Sequence, residues 1–179
     1  MPPLWRLLLL FSPDAHRAPV TSSRNLGATK EQLEDVFRRS LGAERTVWLP
    51  HGLIDDRTGG HMDNVAAFVG PGRVLCQAVG DDDPNSGRLA QNRTALVAAG
   101  LEVIDFDVPP SPIRYLNFYI GNGCVIVPVA GSSNDRRALA LLREAFPDRE
   151  VVGVPGHALA NGGGGVHCIT QQIPLARAY

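Results

Sequence analysis

Phe118-Tyr119-Ile120-Gly121-Asn122-Gly123-Cys124-Val125-Ile126-Val127 reads as two short apolar strands joined by a Gly-Asn-Gly turn. Behind it, Asn134 to Phe146 (NDRRALALLREAF) spaces its apolar residues by three and four, as an amphipathic helix does. Arg149-Glu150-Val151-Val152-Gly153-Val154 is then β-branched, a strand. The same order occurs earlier in the chain. Ala67-Phe68-Val69 turns through Gly70-Pro71-Gly72 into Val74-Leu75-Cys76, and Gly87 to Ala99 predicts a helix before the strand Leu101 to Phe106. The turn glycines recur 51 residues apart (121 − 70 and 123 − 72), and Glu102 and Glu150 lie 48 apart (150 − 102). A shared order at a period near 50 is an internal repeat. A third helix-strand pair runs from Lys30 to Leu41, with Leu33, Val36, Phe37 and Leu41 on one face, and continues into Thr46 to Pro50. The expected architecture is α/β, built from about three hairpin-helix-strand modules. No low-complexity linker divides it, so residues 1–179 are expected to form a single domain.

The totals exclude several classes. A 44% hydrophobic and 20% charged composition is that of a globular chain. A net charge of −1 gives no basic field to recruit nucleic acid or anionic membrane. Leu7 to Phe11 is apolar but far too short to span a bilayer, and it reads as a buried strand. Three cysteines, Cys76, Cys124 and Cys168, are too few and too odd in number for a disulfide framework, which points to a reducing, cytoplasmic setting.

Chemistry concentrates in two places. Near the C-terminus, Gly162-Gly163-Gly164-Gly165-Val166-His167-Cys168-Ile169-Thr170-Gln171-Gln172-Ile173-Pro174 puts a thiol behind four glycines. Backbone without side chains turns freely and can approach a ligand closely, so Gly164 and Gly165 would admit a flat group beside the sulfur. The second is Asp55-Asp56-Arg57-Thr58-Gly59-Gly60-His61-Met62-Asp63-Asn64. If this segment is extended, His61 and Asp63 face the same side. A thiol with a histidine and an acid is the set needed for nucleophilic catalysis. Cys76 and Cys124 lie in apolar strands and read as buried, inert thiols. His157 and His167 do not make paired-ligand spacings with Cys168, so no metal site is expected. No Gly-Lys-Ser/Thr follows the glycines, so they are no phosphate loop.

Taken together, the chain resembles the agmatine deiminase and porphyromonas-type peptidyl-arginine deiminase family. The resemblance rests on Trp48-Leu49-Pro50 with Gly52, Asp56, Thr58, Gly60-His61-x-Asp63-Asn64 and Phe68. It continues through Asn117-Phe118-Tyr119-Ile120, Asn122-Gly123, Val125 to Pro128, Phe146 to Gly153 and Gly162 to Pro174. It covers residues 23–179, whereas residues 1–22 match poorly. The resemblance implies a pentein-type αβ-propeller, here incomplete, and hydrolysis of agmatine to N-carbamoylputrescine and ammonia without metal or organic cofactor. It implies Cys168 as nucleophile, His61 as proton donor and water activator, and Asp63 as a guanidinium ligand. Free arginine or peptidyl-arginine is the alternative substrate, and an inactive remnant the alternative reading. Family members carry a Trp-x-Arg-Asp segment that neither Trp5 nor Trp48 begins here, so the chain is expected to be the C-terminal part of a longer deiminase. His51 and Gly165 also depart from residues common in the family. An incomplete ring leaves strand edges open to self-association, so the expected partners are a small guanidine and a second copy in a homo-oligomer.

Overall fold

The computed structural model describes residues 7–11, 28–54, 56, 61–109, 111 and 113–173. The Thr58 and Gly60 part of the motif lies outside the described residues. The chain divides into two compact units, 1–110 and 111–179.

In the first unit, β1 (Leu7–Phe11) pairs in parallel with β2 (Arg45–Leu49) across helix α1 (Lys30–Leu41). Thr29 begins α1 with a capping box: its Oγ1 accepts from the Gln32 amide at 3.3 Å, and its own amide donates to Gln32 Oε1 at 2.9 Å. Trp48 on β2 donates through Nε1 to Glu34 at 2.6 Å, and Lys30 sits 5.4 Å from the Trp48 ring. Only Leu33 of the expected helical stripe is buried; Val36 and Leu41 are exposed.

The hairpin β3 (Ala66–Gly70) and β4 (Arg73–Gln77) is antiparallel, and β4 pairs in parallel with β5 (Glu102–Phe106) after helix α2 (Ser86–Ala98). A parallel pair needs a crossover, and α2 supplies it. Leu49, Val65, Val74, Leu89 and Leu96 close the core between these elements. Buried Gln77 ties the strand ends together, donating from Nε2 to the Phe106 and Val108 carbonyls at 3.1 and 2.7 Å.

The second unit repeats the plan. β6 (Tyr119–Ile120) and β7 (Cys124–Val129) form the hairpin, α3 (Asn134–Ala145) the crossover, and β8 (Glu150–Pro155) the parallel partner of β7. The registers correspond: Arg73 faces Glu102, and Cys124 faces Glu150. Val125, Val127, Ala138 and Leu142 are fully buried, and Phe118 packs edge-on against Phe146 with ring centroids 5.5 Å apart. A short helix, α4 (His157–Asn161), follows β8 and leads into the glycine run.

The repeat expected from the sequence is thus present in both hairpins and all three crossovers. One reading of the cysteines needs correction. Cys76 is buried on β4, but Cys124 is only half-buried. Cys124 opens β7 beside the hairpin turn, beyond the residues that β6 covers, and its β8 partner Glu150 is exposed. Among the described residues, no helix is long and apolar enough to cross a membrane.

Candidate active site

In the second unit, the glycine run winds off α4. The amides of Gly162, Gly163 and Gly164 donate to the carbonyls of Ala158, Ala160 and Leu159. Gly163 takes φ +85°, a conformation that an L side chain rarely adopts. Buried Val166 then anchors a 3₁₀ turn, His167–Ile169, which leaves Cys168 exposed. Thr170 closes the turn, donating from Oγ1 to the Val166 carbonyl at 2.9 Å.

The thiol has a buried amide beneath it. Asn117 is 1% exposed, and its Nδ2 lies 3.3 Å from Cys168 Sγ, with Oδ1 at 3.6 Å. The Asn117 carbonyl also accepts from the His167 amide at 3.1 Å. Two glycines make room for this arrangement. A Cβ at Gly164 would stand 3.1 Å from Cys168 Cβ and 3.4 Å from Sγ. A Cβ at Gly165 would fall 2.7 Å from Cγ and 2.9 Å from Cβ of Asn117. The space a side chain would need at Gly165 is therefore filled by Asn117.

In the first unit, α2 holds the backbone of His51, Gly52 and Ile54, upstream of His61 and Asp63. Fully buried Asn92 accepts from the His51 amide at 3.0 Å and donates to the His51 carbonyl at 2.7 Å. Asn85 Oδ1 accepts from the Ile54 amide at 2.7 Å, and Arg88 donates to the Gly52 carbonyl at 3.2 Å. Further along, the Asp56 carboxylate accepts from the His61 amide at 3.1 Å and from Asn64 Nδ2 at 3.3 Å. The His-x-Asp segment is not extended, in contrast to the condition set on the sequence. His61 is extended at φ −66°, ψ 139°, but Met62–Asn64 form a 3₁₀ turn. Side chains do not alternate with period two across such a turn, where half-buried Asp56 and buried Asn64 pull the backbone round. Both His61 and Asp63 are half-buried, with Asp63 Oδ1 shielded from solvent.

The Porphyromonas-type peptidyl-arginine deiminase profile matches residues 15–174. The chain belongs to that family. An agmatine deiminase of Stutzerimonas stutzeri (strain A1501) is 38% identical over an alignment of 185 positions that covers 85% of this chain and 50% of that protein. The solved agmatine deiminase of Enterococcus faecalis matches with a TM-score of 0.80 at 30% identity, over 94% of this chain and 53% of that one. The C. jejuni agmatine deiminase with substrate bound shares the fold, with a TM-score of 0.78 at 23% identity over 90% of this chain and 50% of that one. This deiminase-family chain spans about half the length of the curated relatives it matches.

Sequence reasoning gave no role to Asn117, Asn92 or Asp56, although Asn117 and Asp56 stand in the family-like segments. A signal existed for both amides. Asn92 lies on the same helical stripe as Leu89 and Leu96, and Asn117 interrupts the apolar run Leu116 to Ile120. A lone amide in an apolar stripe must find hydrogen-bond partners when buried.

Proposed function

We propose that this chain carries the nucleophile and the acid-base histidine of an amidine hydrolase that converts agmatine and water to N-carbamoylputrescine and ammonia. The Cys168 thiolate adds to the guanidinium carbon, forming a C–S bond. Protonated His61 gives its proton to the departing nitrogen, ammonia leaves, and a thiouronium remains on sulfur. Neutral His61 then takes a proton from water, whose oxygen adds to the same carbon. Collapse breaks the C–S bond, returns the electron pair to sulfur and releases the ureido product, while the hydroxyl proton passes to solvent, where ammonia takes it up. Asp63 binds guanidinium N–H groups, since a carboxylate accepts two parallel bonds from a planar cation. The backbone at Gly164 and Gly165 lies against the reacting group. No metal or organic cofactor enters this scheme.

The observation that carries the proposal is the exposed Cys168, set in a glycine-built turn directly over a buried amide, in a chain of the deiminase family. The three sheets read as successive modules of a pentein αβ-propeller, with both units belonging to one deiminase domain. Three free thiols favour a cytoplasmic setting. Sheets of two and three strands, which leave edge strands to be paired, favour association with a second copy.

Ammonia release from agmatine, free arginine and an arginine peptide tests the assignment, with Cys168→Ala as control. Agmatine is expected to be the best substrate, and the variant is expected to lose at least about a thousandfold in rate. Turnover that survives in Cys168→Ala, or none with agmatine, overturns the assignment. Faster turnover of arginine would move the substrate class.

A further inference from the structure

We infer that Asn117 is a positioning residue that sets the reactivity of the Cys168 sulfur. The inference rests on the reading of Cys168 as nucleophile given above. A primary amide is both donor and acceptor, and both ends of this one face the sulfur: Nδ2 at 3.3 Å and Oδ1 at 3.6 Å. A thiol can donate S–H to Oδ1, and a thiolate can accept N–H from Nδ2. The pair therefore fits sulfur before and after it loses its proton, and the charge-assisted bond to the thiolate is the stronger of the two.

Three features hold the amide in place. Asn117 is 1% exposed, so water competes little for its N–H groups. Its backbone carbonyl accepts from the His167 amide at 3.1 Å, which locks the residue before the cysteine onto the same backbone. Gly165 presses against its side chain, so the amide has no free space on that face. The lack of a side chain at 165 is thus part of the same device: a Cβ there would overlap the Asn117 side chain and shift the amide from its present place.

The test reads Cys168 against Cys124, a half-buried thiol of the same unit. Iodoacetamide labelling of the intact protein at fixed pH, followed by peptide mass analysis, gives both rates. Asn117→Asp keeps the shape but replaces the donor with a carboxylate oxygen. It is expected to slow Cys168 labelling by about tenfold or more while the Cys124 rate stays put. Gly165→Ala puts a Cβ where the Asn117 side chain now lies and is expected to slow Cys168 labelling selectively with Asn117 intact. A fold lost in either variant would speed up Cys124, which separates unfolding from the proposed effect. In agmatine turnover, Asn117→Asp is expected to lower kcat while KM holds. If both variants leave Cys168 labelling within twofold of the wild type, the role of Asn117 is overturned. If labelling falls as expected but the wild-type protein releases no ammonia, the role of Asn117 stands and the agmatine assignment fails instead.

Discussion

Burial separates the three thiols of this chain. Desolvation of Cys76, assisted by the nearby Asp105 charge and partly offset by Arg93, pushes its pKa up to about 12. At pH 8 it stays a thiol, and thiols alkylate only through the thiolate. Native-state labelling should therefore modify Cys168 first, Cys124 next and Cys76 last. Early modification of Cys76 would contradict the packing of β4. Asp135 offers a residue-scale test of pH dependence. Burial raises its pKa, but hydrogen bonds from the Ala130 amide at 2.9 Å, the Tyr115 hydroxyl at 2.8 Å and the Ser132 amide at 3.0 Å outweigh this and hold it below the usual value. A lowered carboxylate pKa stabilises the fold above the unfolded value of about 3.9, and the stabilisation is lost as pH falls through the folded value. Asp135→Asn should therefore weaken the second unit near neutral pH and flatten its acid unfolding curve below about pH 4. An unchanged acid profile in the variant would show that these bonds carry no linkage.

At the scale of elements, the backbone at His51 depends on one helix. Asn92 satisfies both backbone groups of His51, so Asn92→Ala leaves two partners stranded and should cost about 2–4 kcal/mol in chemical denaturation. A loss below about 0.5 kcal/mol would mean that this backbone finds other partners. Gly163→Ala should cost about 1–2 kcal/mol, because φ +85° strains an L residue although the space beside it is open. Element order was legible in the sequence to within a residue or two: α1 begins and ends where the spacing put it, and β2 is shifted by one residue. Hairpins and crossovers are local, and their turn glycines and apolar periods sit in the same short stretch. The site was less legible. Cys168 stood out because four glycines precede it. Asn117 precedes the sulfur by 51 positions (168 − 117), and no local pattern links them. The 3₁₀ turn at Met62–Asn64 was equally hidden, since it depends on Asp56 reaching forward to His61 and Asn64.

At the scale of the whole molecule, the two three-stranded sheets share one order, with the hairpin's second strand in the middle: β3-β4-β5 and β6-β7-β8. A central strand has both edges paired, so amides in β4 and β7 should be the slowest to exchange with deuterium in their units. Faster exchange there than in β3 or β8 would contradict the strand order. The registers carry a kinetic consequence as well. Arg73 meets Glu102, and Cys124 meets Glu150, so these parallel pairings close over 29 (102 − 73) and 26 (150 − 124) residues. Parallel sheets are slow to form when their strands are distant, because chain entropy is lost before any contact repays it. Here each sheet closes within its own short span. During synthesis, β4 can find β5 while the Cys168 turn has yet to be made, so Cys168 acquires its surroundings after the first hairpin sheet can close.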